Sequence, residues 1–548
     1  MPTDTDMAMK DSGKRLAATT GVFWCCLAMP VMAQQTGSVI TPIATSGAAP
    51  VSIPADQGST GPDGANQARA WAVVPRVGLT GTLTDNINLS STDKQSGFIF
   101  QLSPGVRIDA KTARLKMYLD YALNGIAYSQ GNNSNQVQNA LTTFGTLEAV
   151  DNWLFLDFSG NISQQIINPF GQQTPSNVYD NRNTTETSTY SLSPYIRGQL
   201  FGSADYFLRY NASVTNYQDS SLSEVTLSQW IGQVRGNTRF PNLNWTIDGS
   251  QQSTDYSGGR EYEDGRLRGV LIYRLFPEFR LRGSGGYESN NYQSIDNEGQ
   301  STYGFGFDWT PTERSQASGF WEHRFFGTGH NVLLSHRFPL SSIIYTDIKD
   351  VSLIPNQSTS AGLGTVYDQY FQLFANLIPD QGDRDAYVRS FLNQIGVAPN
   401  AQAVSNYVAN RPQVRRDQRL SMVLYGSRNS LTFIAERTDS EALTALGNNT
   451  EVAGDASRIV QQGYSVGFSH RLTPDTGLNL LGSRMESQSG YTNNLNTTTT
   501  TYQIGVSTRL GTKTFGSLNA RHTDFNANNS VVGSYNENAL IALLSMVF

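Results

Sequence analysis

The sequence predicts an all-β fold, a large antiparallel transmembrane barrel of the outer membrane. Three observations predict it: period-two alternation over segments as long as a tilted membrane strand, regular alternation of tight turns with long polar loops, and a last segment that alternates to a terminal aromatic residue. Composition agrees. The 548 residues include 50 Gly, 25 Tyr and 26 Phe but only 15% charged residues, a poor fit to a soluble enzyme or a disordered chain. A mean hydropathy of −0.36 and the lack of a long apolar run beyond the N-terminus exclude a bundle of membrane helices.

The N-terminus reads as a secretory signal. Lys10, Lys14 and Arg15 precede the mostly apolar segment 16–31, and Val31-Met32-Ala33 forms a small-residue cleavage site, so residues 1–33 are expected to be removed near Ala33. A single membrane anchor is the rival reading, but Thr19, Thr20, Gly21 and Pro30 interrupt the stretch. Both cysteines, Cys25 and Cys26, lie within it, so no disulfide framework, cysteine metal site or thiol nucleophile is expected after maturation. Residues 34–70 are rich in Gly, Ser, Thr, Ala and Pro and are expected to form a flexible periplasmic leader, either a plain tether or a docking segment for a periplasmic partner.

From Trp71 to the end, alternation takes over. Leu115, Met117, Leu119, Tyr121 and Leu123 interleave with Lys116, Tyr118, Asp120 and Ala122; Leu267, Leu271, Tyr273 and Leu275 interleave with Arg266, Arg268 and Arg274. Tyr303, Phe305, Phe307 and Trp309 alternate with Gly304, Gly306 and Asp308, and Tyr464, Val466 and Phe468 with Ser465, Gly467 and Ser469. A soluble sandwich also alternates, but its strands are about half as long. Connection length discriminates. Tight turns fall at 110–112, 150–152, 198–202, 237–242, 276–278, 310–313, 338–341, 427–430, 472–476 and 510–513, separated mostly by long polar loops such as 130–139, 164–185, 288–300, 438–457 and 487–500. Tight turns at a periplasmic rim and long loops outside imply about 22 strands, within a range of roughly 16–24. A tight turn at 326–330 breaks the external pattern.

The chain closes on Leu540, Ala542, Leu544, Met546 and Phe548, which resembles the last-strand signal read by the barrel assembly machinery. Residues 364–409 depart from the barrel pattern. Tyr367, Tyr370, Phe371 and Phe374, then Tyr387, Val388 and Phe391, recur at helical spacing and predict a short helical insert, a gate or plug for a barrel that needs one. Weak internal repetition supports a hairpin-by-hairpin build: Leu102–Arg107 recurs as Leu192–Arg197, and Ser335–Phe338 as Ser469–Leu472.

The chemistry is that of a wall. The histidines 323, 330, 336, 470 and 522 are scattered, and neither a metal-protease, nucleophile-elbow nor phosphate-loop motif occurs, so no catalytic residue, cofactor or metal is expected. A net charge of −6 gives no support for a nucleic-acid partner. Charge does gather on faces predicted to look inward. Arg266, Arg268 and Arg274 on one strand and Arg280 and Arg282 on the next would share one lumenal wall, with Asp308, Glu322 and Arg324 on the following hairpin as partners. They read either as a polar, partly cationic track for a hydroxyl-rich or acidic polymer or as a salt-bridge network that stiffens the wall. Trp153 and Phe155 fit either lumenal stacking on sugar rings or a girdle near a periplasmic turn.

Several segments together resemble the outer-membrane β-barrels associated with PEP-CTERM/exosortase systems: Thr84-Asp85-Asn86-Ile87-Asn88-Leu89, Leu102-Ser103-Pro104-Gly105, and above all Glu322-His323-Arg324-Phe325-Phe326-Gly327 followed by Ser335-His336-Arg337. The likeness covers nearly all of the chain from Trp71. It implies a barrel of exopolysaccharide and biofilm loci that provides the outer-membrane passage for the polymer. Expected partners are then outer-membrane lipid, the barrel assembly machinery, the polysaccharide and separate periplasmic export proteins. Alternatives are a general or substrate-specific diffusion porin, and a surface adhesin that uses its long loops.

Overall fold

The computed structural model describes residues 70–353 apart from 131–133 and 220, residues 411–548 apart from 444–457, 491–494 and 529–531, and Val388, Tyr407 and Val408. The signal segment 1–33 and leader 34–69 lie outside the described residues, as does the helical insert at 364–409 except for those three positions.

Long alternating segments form long strands because each must satisfy its backbone against neighbours while showing one face to lipid and one to the interior. The first half of the chain gives β1 (Trp71–Thr84), β2 (Gly97–Lys111), β3 (Leu115–Tyr128), β4 (Gln136–Val150), β5 (Leu154–Ile166), β6 (Thr184–Leu200), β7 (Ala204–Tyr217), β8 (Val225–Asn237), β9 (Leu243–Tyr256), β10 (Glu261–Phe276) and β11 (Phe279–Asn290). The second half gives β12 (Glu298–Thr312), β13 (Ser315–Arg324), β14 (Gly327–Arg337), β15 (Ser341–Ser352), β16 (Gln413–Tyr425), β17 (Asn429–Ala442), β18 (Arg458–Arg471), β19 (Thr476–Ser489), β20 (Asn496–Arg509), β21 (Thr514–Ala527) and β22 (Tyr535–Val547).

Every strand pairs antiparallel with its sequence neighbours, and β1 pairs with β22 from Arg76↔Val547 to Thr84↔Ala539, so the 22-stranded sheet closes on itself and has no free edge. Each tight turn expected from the sequence joins two strands at the rim where β1 begins and β22 ends, displaced by at most a few residues. The turn between β13 and β14, at Phe325 and Phe326, is a tight connection on the other rim; there Gly327 takes φ +98°, a conformation that costs glycine nothing.

Exposure assigns the faces. Leu267 and Leu271 are 60% and 57% exposed, whereas Arg266 and Arg268 between and beside them are 5% and 7% exposed. The apolar sets therefore face outward, and large exposed side chains such as Leu281, Phe305, Leu431 and Val466 make the lipid-facing band. Aromatics edge it. Trp71, Trp153, Tyr273, Trp309, Phe338 and Phe548 lie exposed toward the tight-turn rim, and Tyr190, Tyr287, Tyr303, Tyr464 and Tyr502 toward the other, as girdles at two membrane interfaces. Leu540, Leu544 and Phe548 of the closing segment belong to the same outer face.

The buried apolar residues do not form a central core; two clusters of them lie in the long-loop half of the interior. One cluster joins Ile87 and Leu89 of the β1–β2 loop and Tyr179 of the β5–β6 loop to Ile99, Ile126, Phe525 and Tyr535. A second joins Val225, Leu227, Tyr256, Tyr262, Tyr292, Val351 and Leu353. Long loops thus fold inward and pack on the wall.

Candidate functional site: the charged wall and the loop across the lumen

The charged wall lies on β10–β13. Arg268 stands opposite Gly286 on β11, and Glu322 on β13 stands opposite Gly304 on β12. With no side chains at those two positions, the floor between is clear, and guanidinium groups rooted on β10 reach a carboxylate about 14 Å away, three strand spacings on. A Cβ at Gly304 would come within 2.6 Å of the Trp321 carbonyl and 2.8 Å of Ser284 Oγ, so the space is needed. Across it Arg266 pairs with Glu322, and Arg268 pairs with Asp248 at 3.0 Å and with Glu322 at 3.5 Å. Arg282 meets Asp308 at 2.9 Å, and Arg324 joins Glu288 at 2.9 Å and Asp350. Phe320 lies under Arg268 and Arg282, 5.4 and 5.3 Å from their guanidinium carbons.

Four of the eight charges expected on this wall, the buried Arg266, Arg268 and Arg324 and the partly buried Arg282, are thus cations bonded to carboxylates, and Asp308 and Glu322 are among those carboxylates. Of the two readings of this wall, the ion pairs fit the salt-bridge network. Acidic partners that sequence reading missed, Asp248, Glu288 and Asp350, balance the arginines. Arg274 stands on the same face, in register with Arg280, but at the exposed rim, where it donates to the Pro241 carbonyl at 3.1 Å. Arg280 is half-buried and pairs in register with Asp308, but no ion pair joins it among the described residues.

The second feature is the β5–β6 connection, residues 167–183. It is expected from sequence as part of an external loop, and that expectation is corrected: the loop turns into the barrel. Its own amides brace it. Asn183 Nδ2 donates to the Asn168 and Gln172 carbonyls at 2.8 and 3.1 Å, and Asn181 Nδ2 donates to Gln172 O at 2.8 Å, the self-packing of an Ω-type loop. Braced in this way, it crosses to the seam where the barrel closes. Thr497 Oγ1 on β20 donates to the Pro169 carbonyl at 2.9 Å, Tyr535 OH on β22 to the Gln173 carbonyl at 2.6 Å, and Gln172 Nε2 to Leu89 O at 2.8 Å.

The tip is latched. Tyr179 OH donates to the fully buried Glu537 carboxylate on β22, and Arg521 on β21 donates to the same phenol oxygen and to Glu537 Oε1, each at 3.2 Å. Thr84 Oγ1 on β1 adds a bond to Glu537 at 3.1 Å. Burial, and then the adjacent Glu537, push the Tyr179 phenol above its ordinary value, which keeps it a donor. The segment Thr84–Leu89 singled out in the sequence supplies part of this latch, through Thr84, and part of its apolar bed, through Ile87 and Leu89. No sequence period marked the loop as inward; the one available signal was its pair of aromatics, Phe170 and Tyr179, too apolar for a solvated loop.

Closure without an edge, an outer face of apolar residues between two aromatic girdles, and a polar, ion-paired interior define a transmembrane β-barrel of the outer-membrane type. No family model and no curated protein matches the chain. Among solved structures it is similar to the apoprotein form of the FrpB iron transporter from Neisseria meningitidis, at 10% identity and a TM-score of 0.48 over 87% of this chain and 81% of that one. It is also similar to the siderophore receptor PirA from Pseudomonas aeruginosa, at 10% identity and a TM-score of 0.37 over 87% and 80%, and to the outer membrane protein opdK from the same organism, at 6% identity and a TM-score of 0.31 over 87% and 99%. Likeness at this level carries nothing about cargo, and the class stands on the closed strand order and the two faces of the wall.

Proposed function

We propose that this barrel is the outer-membrane exit channel for an exopolysaccharide, fed by separate inner-membrane synthesis machinery and periplasmic export proteins, as its resemblance to the PEP-CTERM/exosortase-associated barrels implies. The observation that carries the reading is the loop at 167–183, an external connection folded into the lumen and held on the wall of β20–β22 by two phenols and a threonine hydroxyl. Such bonds break and re-form at low cost, so the loop suits a passage that stays shut until polymer arrives. A steadily open barrel of this size would leak small solutes. A wall of hydroxyls, amides and balanced ion pairs suits a hydroxyl-rich chain, which exchanges its water for short-lived hydrogen bonds as it moves. On the β10–β13 wall Arg280 and Arg274 are then cations left to meet an acidic polymer.

A substrate-specific diffusion porin is the second reading. The same loop favours it if it stays in place as a fixed constriction. The adhesin reading is weakened by the same fact, since this loop points away from outside partners. Deleting the gene in its host and comparing secreted with periplasmic polymer tests the proposal. Polymer trapped behind the outer membrane, with secretion restored by the intact gene, is expected; unchanged secretion from a polymer-producing strain contradicts export.

A further inference from the structure

The rings on the outer face of the tight-turn rim have a girdle role, but a second set in the same half of the strands points the other way. Register places Tyr118 on β3 beside Phe144 on β4, and Phe155 on β5 beside Tyr195 on β6, with Phe207 following on β7. These rings share the face of Asp120, Asp157 and the buried Arg209, whereas Leu192 and Leu208 of the alternate register are exposed to lipid. They are therefore lumenal. They form two stacks. Tyr118 and Phe144 lie 5.2 Å apart, Phe155 and Tyr195 5.0 Å apart and nearly parallel, and Phe207 5.5 Å from Tyr195. Phe144 faces Ser159, four residues from Phe155, so the stacks are offset along the wall by about 13 Å.

Polar groups edge both stacks. The Arg197 guanidinium lies 4.4 Å above Phe155 and is exposed; Arg209 lies 4.7 Å from the Tyr195 ring and is paired to Asp157, which also accepts a bond from Thr146 at 2.6 Å. Tyr118 OH lies 3.3 Å from Asp120. Tyr118, Phe144, Tyr195 and Phe207 are only half-buried. In the same half of the barrel β17–β21 offer mainly Ser469, Asn479, Ser507, Ser517 and Asn519 on the lumenal face, with Phe515 nearer the rim, so the stacked rings mark the β3–β7 side.

We propose that the inward rings of β3–β7 are a carbohydrate-binding subsite at the periplasmic entrance of the lumen. A pyranose ring has an apolar C–H face and a rim of hydroxyls, and this wall offers the complement: flat half-buried rings bordered by a guanidinium and ion-paired carboxylates. A purely apolar ligand would leave those edges desolvated and unpaired, and a small anion would gain nothing from the rings. Two stacks along the wall suit successive residues of a chain. The proposal deepens the export reading and rests on it for the identity of the cargo, but the subsite has a readout of its own.

The test uses the full-length mature barrel in detergent, with cellohexaose, maltohexaose and an oligogalacturonate as probes, read by saturation-transfer NMR and titration. The expected result is binding of at least one probe by the wild type, about tenfold weaker in a Tyr195→Ala, Phe207→Ala double variant and retained in Tyr195→Phe, Phe207→Tyr, which keeps both rings. Heat-modifiable migration on gels verifies that each variant is folded. No transfer to any probe, or equal affinity in the ring-deleted and ring-preserving variants, overturns the subsite. Failure of the export reading appears separately, as unchanged secretion after gene deletion, and leaves the binding measurement standing.

Discussion

Two charged clusters in the same lumen have nearly the same ingredients and opposite consequences. On β10–β13, Arg266, Arg268 and Arg324 are bonded to Glu322, Asp248, Glu288 and Asp350, and every partner is rooted in the wall. On β21–β22, Arg521 is bonded to Glu537 in the same manner, but the carboxylate also receives the phenol of Tyr179 from a loop that has crossed the lumen. The first cluster can only hold strands together. The second couples the seam of the barrel to a loop instead of to another strand. A buried ion pair on a channel wall is thus not evidence of a conduction path; what else its carboxylate holds decides whether it ties strand to strand or strand to loop.

That contrast breaks first at Glu322. Removing it in Glu322→Ala takes the ion-pair partner from the buried Arg266 and one of two from Arg268. A loss of about 3 kcal/mol of barrel stability is expected from an uncompensated buried charge, measured by urea unfolding in lipid vesicles, with channel opening unchanged. Next comes Tyr179→Phe, which deletes one hydroxyl at the latch. A hydrogen bond to a charged group contributes roughly 1.5–3 kcal/mol, so the ratio of undocked to docked loop should rise by about tenfold or more while global stability hardly moves. Hydrogen exchange across 167–183 checks it. Equal exchange in the two proteins would erase the distinction between the clusters.

Gly304→Ala sharpens the claim that bare backbone lets the network span the wall. Its Cβ would press on the Trp321 carbonyl and Ser284, and destabilisation of about 1–3 kcal/mol is expected. Gly285→Ala is the smallest effect. That residue lies on the other face of β11, where a Cβ meets nothing, and a change within about 0.5 kcal/mol is expected in the same unfolding assay.

The two clusters also differ in how far they could be read beforehand. Strand number, turn positions and the inward face of Arg266, Arg268 and Arg282 follow from period two and tight-turn spacing, because a closed barrel leaves each strand one face for lipid and one for water. Even Asp308 and Glu322 were within reach, since the next hairpin places them two and three strands away. Arg274 keeps the parity, opposite Arg280, but lies where β10 runs out at the rim, so it meets loop carbonyls and water instead of the buried network. The latch was out of reach for another reason. Tyr179 and Glu537 are 358 positions apart and meet only because a loop folds inward, a choice made by packing on Ile87, Phe525 and Tyr535 rather than by any local period. The rings of β3–β7 sat between the two cases. Phe155 was visible as a lumenal or girdle aromatic, but its stacking on Tyr195 required the pairing of β5 with β6.

The central claim is that the loop at 167–183 closes the passage and that Tyr179 holds it closed. Single-channel recording in planar bilayers, wild type against Tyr179→Phe, tests it most directly. Long closed intervals in the wild type and an open fraction about tenfold higher in the variant are expected. A wild type that conducts steadily, or a variant that stays as closed as the wild type, would contradict it.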